Sequence, residues 1–248
     1  MNKKILISII GLSTLAFSCN TSSESDTSVY HDAYIHTKMV SGQEKHSLGI
    51  NVISFSNIES SSVITPSGNK TILEYLDNNK SYYTNTNRIY SDNIPNIGKY
   101  SFTTIIKGEE PKTDEDYLAS TSISPANIIS SEIKLINQNK FLEIIWKQNK
   151  EVSRYKIELY NRKGDLVFAS EYLRRAYEGS DMNENQTQLI ANPLSGAGLD
   201  GWINKDIYIT DIGEVKIIAI RFEDDAIKDL SVNFQAMSES TISLPISE

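Results

Sequence analysis

Short runs in which apolar and polar residues alternate with a period of two recur along most of this 248-residue chain, and no long segment shows helical periodicity. This is the constraint that most limits the fold. In LGINVISF, Leu48, Ile50 and Val52 share one face; in YSFTTII, Tyr100, Phe102 and Ile106 do. In RYKIELYN, Tyr155, Ile157 and Leu159 point one way while Lys156 and Glu158 point the other, and LSVNFQA repeats the pattern with Leu230, Val232 and Phe234. Turn signals lie between the runs: PSGN, NIG, RKGD and DIG. β-Branched and aromatic residues favour strands, and isoleucine and tyrosine are plentiful here. The expectation is an all-β fold of two tandem antiparallel β-sandwiches.

Two seven-residue stretches support the duplication. Asn96-Ile-Gly-Lys-Tyr-Ser-Phe102 and Asp211-Ile-Gly-Glu-Val-Lys-Ile217 each open an apolar strand. The first resembles the D-x-G-x-Y-x-C corner of immunoglobulin-like domains, with Asn96 and Phe102 in the outer places. That resemblance implies a Tyr100 hydroxyl bonded back to the loop backbone. The second has Val215 in the tyrosine position and would lack the bond. The stretch FLEIIWKQNKEVSRYKIELYNRKGDLVFASEYL resembles three consecutive strands of a fibronectin type III domain. Trp146 would end the first of these and pack between the sheets, Tyr155 would begin the second, and RKGD would turn the hairpin. TDEDYLASTSISPANI, with its charge, serines and Pro125, reads as a linker. The expected division is a first immunoglobulin-like sandwich over residues 30–121 and a second, fibronectin-like one over 122–248.

The chain begins MNKKILISIIGLSTLAFSC, with the order of a secretory signal peptide: two lysines, a short apolar run, then small residues. The run is shorter than the ~20 residues that span a bilayer. LAFSC resembles a relaxed bacterial lipobox, so residues 1–18 are expected to be a lipoprotein signal peptide. The resemblance implies acyl chains on Cys19, the only cysteine in the chain, and a membrane partnership through them. NTSSESDTS after it is polar and small, and residues 19–29 are expected to form a flexible tether. Asn20 favours outer-membrane retention in that family, and Glu24 and Asp26 resemble the surface-export tethers of some members. The expected location is the outer membrane, on its periplasmic face or at the cell surface.

The formal charge is -8, and removing Lys3 and Lys4 makes it -10. An acidic chain without a basic cluster is a poor nucleic-acid binder. With one cysteine, no disulfide staples either half. No G-x-S-x-G, H-E-x-x-H or phosphate-binding glycine loop occurs, so no catalytic residue and no cofactor is expected. His31 and His36 would lie on opposite faces of a strand, about 16 Å apart, and with His46 read as surface residues. The carboxylates at 114–117 and 223–225 read as solvated turns or linker. Asp181, Asn183 and Asn185 offer alternate oxygen ligands, as a calcium loop does, but Gln186 and Asn192 stand where an EF-hand has glycine and glutamate.

Binding surfaces are the more productive expectation. EYLDNNKSYYTNTNRIYSDN carries Tyr75, Tyr82, Tyr83 and Tyr90 among asparagines, and the region from 174 to 206 carries Tyr177 and Trp202. Tyr82, Tyr83, Tyr177 and Trp202 are candidate ligand contacts, with half-buried sheet tyrosines and a core tryptophan as the alternatives. The function expected is a non-enzymatic, lipid-anchored envelope protein that binds or presents a partner. The alternatives are a glycan-binding accessory lipoprotein of an outer-membrane nutrient uptake system and an assembly factor of an envelope complex.

Overall fold

A computed structural model describes residues 28–76, 79–174, 186–191, 193, 201–223 and 233–245. The described residues form an all-β structure. In chain order its strands are β1 (Val29–Val40), β2 (Gln43–Ser54), β3 (Ile58–Ile64), β4 (Lys70–Ile72), β5 (Glu74–Leu76), β6 (Asn79–Thr84), β7 (Gly98–Ile106) and β8 (Lys112–Leu118) in the first half. The second half contributes β9 (Ile128–Ile136), β10 (Asn139–Lys147), β11 (Arg154–Asn161), β12 (Leu166–Ala169), β13 (Leu173–Arg174), β14 (Gln186–Ala191), β15 (Ile212–Phe222) and β16 (Phe234–Ser243).

Nine strands make one sheet in the order β12-β11-β15-β16-β1-β2-β6-β5, with β13 also pairing β11. Two smaller sheets, β4-β3-β7-β8 and β14-β10-β9, complete the fold. The hydrophobic clusters show how they stack. Val63, Tyr100 and Phe102 of the four-stranded sheet meet Ala33, Ile35, Ile50 and Val52 of the large sheet. Leu142, Ile144 and Trp146 of the three-stranded sheet meet Tyr155, Ile157, Leu159, Val215, Ile217 and Ala236. The molecule is thus two β-sandwiches, each with its own core, built on a common sheet. The alternation in RYKIELYN is realised in full: Tyr155, Ile157 and Leu159 have no exposed surface.

The halves join where β1 runs parallel to β16, with Ile35 opposite Ala236 and Lys38 opposite Glu239. At the start of this seam both carboxylate oxygens of Asp32 accept the Phe234 N–H, at 3.1 and 3.2 Å. The segment expected to divide the chain, near residue 121, lies between β8 and β9. The Tyr100 corner forms as the resemblance implies: the hydroxyl donates to the Asn96 carbonyl at 2.7 Å, and Gly98 takes the left-handed φ of 125° that the turn needs. Val215, its counterpart, is core.

Two expectations are corrected. TDEDYL is not linker; it is most of β8, which pairs with β7 from Thr104↔Lys112 to Gly98↔Leu118. β8 is the last strand of its sheet, and charge on an edge strand blocks pairing with another chain, so its acidity is a strand feature. His31 and His36 are not on the surface: both are buried, His36 completely. β1 is covered on both faces, so either side of its alternation is interior.

Candidate functional site

The face of the large sheet opposite the two cores carries the densest polar constellation among the described residues. β1 sends His31, Ala33 and Ile35 toward the first core and Asp32, Tyr34, His36 and Lys38 to the other side. The antiparallel register sets Tyr34 opposite Gly49 and Asp32 opposite Asn51. A Cβ at Gly49 would lie 2.3 Å from Cε2 of the Tyr34 ring, so only glycine lets that ring lie across β2. Tyr34 also joins Ile218, Ile220, Phe222 and Phe234 in a third apolar cluster, which bridges the two halves.

A strap from Asn85 to Ile97 runs alongside β2, pinned to it by paired backbone bonds between His46 and Ser91, and sends Arg88 and Tyr90 over this face. Arg88 Nη2 donates to the Tyr34 hydroxyl at 3.1 Å, and Arg88 Nε donates to Asn85 Oδ1 at 3.4 Å. The Tyr90 hydroxyl lies 2.8 Å from His36 Nδ1, and His36 Nε2 lies 3.2 Å from Glu239 Oε1. With Tyr90 donating and Nε2–H donating, the geometry suits a neutral imidazole. Burial pushes the His36 pKa below its ordinary value, against the pull of Glu239. Burial pushes Glu239 upward, but the hydrogen bond from His36, the charge of His36 once it is protonated in acid, and the charges of Lys216 and Arg88 outweigh it and hold the carboxyl at about 2.

Cations cap the aromatic rings at the rim. Lys38 Nζ sits 3.8 Å from the centroid of Tyr90, and Lys216 Nζ 4.9 Å from that of Tyr160. The Tyr160 hydroxyl donates to Glu158 at 2.7 Å. Ile89, between the inward-turned Arg88 and Tyr90, is 85% exposed. The arrangement suits non-covalent recognition: rings and charges are fixed in place by hydrogen bonds, and a bare apolar side chain projects beside them.

A second polar chain lies inside the first sandwich. His31 Nδ1 is 3.1 Å from Asp114 Oδ2, His31 Nε2 is 3.0 Å from Thr104 Oγ1, and Thr104 Oγ1 is 2.8 Å from Ser61 Oγ. The order acid, imidazole, hydroxyl has the form of a nucleophile relay. Thr104 has no exposed surface and Ser61 almost none, so no substrate carbon reaches either hydroxyl. The chain instead ties β1, β3, β7 and β8 across the core, and burial lowers the His31 pKa. Asp116, two residues along the same face of β8, accepts the Ala33 N–H at 2.6 Å.

Asp32 sits between these networks, and its carboxyl is raised well above the ordinary value by burial and by the nearby charge of Asp116. The Phe234 N–H opposes that shift, and Glu223 adds to it. A folded pKa above the unfolded one means that the folded chain binds more protons as pH rises past ~4, so stability falls from there until the folded pKa is passed. Asp32→Asn keeps an acceptor for Phe234 and removes this slope, which is up to about 1.4 kcal/mol per pH unit. Urea unfolding between pH 4 and 8 should therefore show Asp32→Asn gaining on the parent as pH rises, whereas Asp32→Ala, which orphans the Phe234 N–H, should lose about 1–3 kcal/mol. Parallel pH profiles for parent and Asp32→Asn would refute the assignment.

The expected contact residues are distributed differently. Tyr82 comes to the polar face, where its hydroxyl donates to Asn51 Oδ1 at 2.7 Å and burial raises its pKa. Tyr83, one residue on, points the other way. It belongs to the first core, and its hydroxyl donates to the carbonyls of Ile58 and Glu59. Trp202 packs at the edge of the second core, its ring 4.9 Å from Phe168 and its Nε1 buried without a partner among the described residues. Tyr177, Asp181, Asn183, Asn185 and Cys19 lie outside the described residues. Sequence reasoning passed over Tyr34, Arg88 and Glu239 and set His36 aside as a surface residue. The available signal was the unbroken run HDAYIHT, in which polar groups occupy both faces of a strand too apolar to be an edge.

No protein-family model matches this sequence, and no curated protein matches it. Among solved structures, a tetra-tandem repeat from the extending region of a large adhesion protein is similar at 11% sequence identity and a TM-score of 0.24. The match covers 88% of this chain and 50% of that one, so this chain spans half the length of that structure. At that TM-score the likeness says nothing about what this chain does. The fold defines an all-β protein of two sandwiches on one shared sheet.

Proposed function

We propose that this chain is a lipid-anchored, non-enzymatic module of the cell envelope that binds a protein partner through the strap and the polar face beneath it. Support for the anchor is the signal-like segment that ends at Cys19. Support for the binding role is one observation above the others: Ile89 is 85% exposed while its neighbours Arg88 and Tyr90 are locked down by hydrogen bonds. An apolar side chain held out from a fixed polar frame is the composition of an interface centre with its rim. Affinity capture from outer-membrane extracts with the mature chain tests the reading. Ile89→Asp should abolish the captured partner without moving the melting temperature, since Ile89 supports no core. Equal capture by parent and variant would refute it.

A second reading is glycan binding in an uptake system. It is favoured by two tyrosines on one face, Tyr82 beside the amide of Asn51 and Tyr90 beside His36. A glycan array would separate the two: a signal lost in Tyr90→Ala but kept in Ile89→Asp belongs to the glycan reading.

A further inference from the structure

We propose that one end of the molecule, marked by Phe55, rests in the headgroup layer of the bilayer and orients both sandwiches with it. The inference builds on the anchor at Cys19. Val29, the first residue of β1, pairs with Ser54, the last of β2. Phe55 follows directly in the β2–β3 turn, 56% exposed, its ring edge-on to Tyr30 at 6.3 Å. The most exposed phenylalanine among the described residues therefore stands beside the residue at which the tether enters. Ten peptide steps separate Cys19 from Val29, about 35 Å at full extension.

β1 is itself about 36 Å long from Val29 to Val40. The opposite end, with the turns at 41–42 and 65–69, meets the bilayer only if the tether is fully stretched back along β1. The end at Phe55 meets it with a slack tether. The strand directions place both sandwiches alike: β16 starts beside Asp32, β15 ends at Phe222 opposite Phe234, and β11 starts at Arg154 opposite Ile220. The loops 55–57 and 107–111 thus lie at the same end, joined by the Lys107 N–H to Asn57 carbonyl bond. The 148–153 loop faces the same way but is set back, because the registers carry Arg154 through Ile220 and Met237 to the level of His36.

Amphipathic and aromatic side chains favour the water–lipid boundary. The 107–111 loop and its flank carry Lys107, Glu109, Glu110 and Lys112, charges of both signs. That balance keeps the end at headgroup depth and leaves Phe55 as the side chain that enters. The strap with Ile89 then faces sideways and outward, clear of the membrane.

The test uses the mature chain purified from membranes and reconstituted in phosphatidylethanolamine–phosphatidylglycerol vesicles. An environment-sensitive fluorophore is placed on Asn57→Cys, beside Phe55, or on Ser67→Cys, in the opposite end's turn. Lipid-borne quenchers should quench the probe at 57 severalfold more than the probe at 67, and Phe55→Ser should bring the two level. Equal quenching at both positions, or no response at 57 to Phe55→Ser, overturns the inference. Intact mass separates the two ideas: an acylated Cys19 without preferential quenching sinks the orientation alone, and an unacylated Cys19 sinks the anchor and the orientation together.

Discussion

Replacing Trp146 with alanine is expected to cost about 3–5 kcal/mol, the largest loss of any single truncation in the second sandwich. Trp146 has no exposed surface and is packed between the sheets, its ring 5.5 Å from Tyr155 in an edge-on contact. Removing it opens a cavity that β-sheet backbone cannot close by local collapse. The indole carries a handicap, because its Nε1 is buried without a partner among the described residues. An unsatisfied buried donor costs about 1–3 kcal/mol. Trp146→Phe gives back that penalty while keeping most of the volume, so its net cost should stay within about 1.5 kcal/mol. Denaturant unfolding of the two variants checks this. A phenylalanine variant as damaged as the alanine variant would show that the N–H has a partner after all.

Gly49→Ala should be nearly as informative in the first half. One methyl group would sit 2.3 Å from a ring carbon of Tyr34. The ring cannot swing away, because its hydroxyl accepts from Arg88 and its other edge packs on Phe234 at 5.5 Å. Overpacking of this kind costs about 1–3 kcal/mol, or roughly 2–12 °C in melting temperature for a domain of this size. The loss should shrink in a Tyr34→Leu background, where the obstructing ring is gone. If the two substitutions simply add, the clash is not the cause.

The strand content of this protein was legible from alternation because period two reports which residues share a face. It worked best where one face is wet, as in RYKIELYN. The Tyr100 corner was legible because it is local, four residues from hydroxyl to carbonyl. What could not be read was the seam. Ile35 and Ala236 are neighbours only because two sheets merged, and no periodicity carries information across that separation. The same limit hid the site. Arg88, Tyr34, His36 and Glu239 come from three distant parts of the chain. Tyr82 and Tyr83 show a smaller version of the problem: adjacent and alike in composition, they go to opposite faces because a strand alternates. TDEDYL was misjudged for a different reason, since charge on an edge strand and charge in a linker look alike in one dimension.

The parallel pairing of β1 with β16 also settles how the molecule meets a mechanical load. Tension entering at Val29 is drawn along β1, which is flanked by β2 on one side and β16 on the other. Pulling such a strand lengthwise strains its ladder bonds together, in shear, and does not unzip them one by one. The first strand to take such a load is therefore held from both sides.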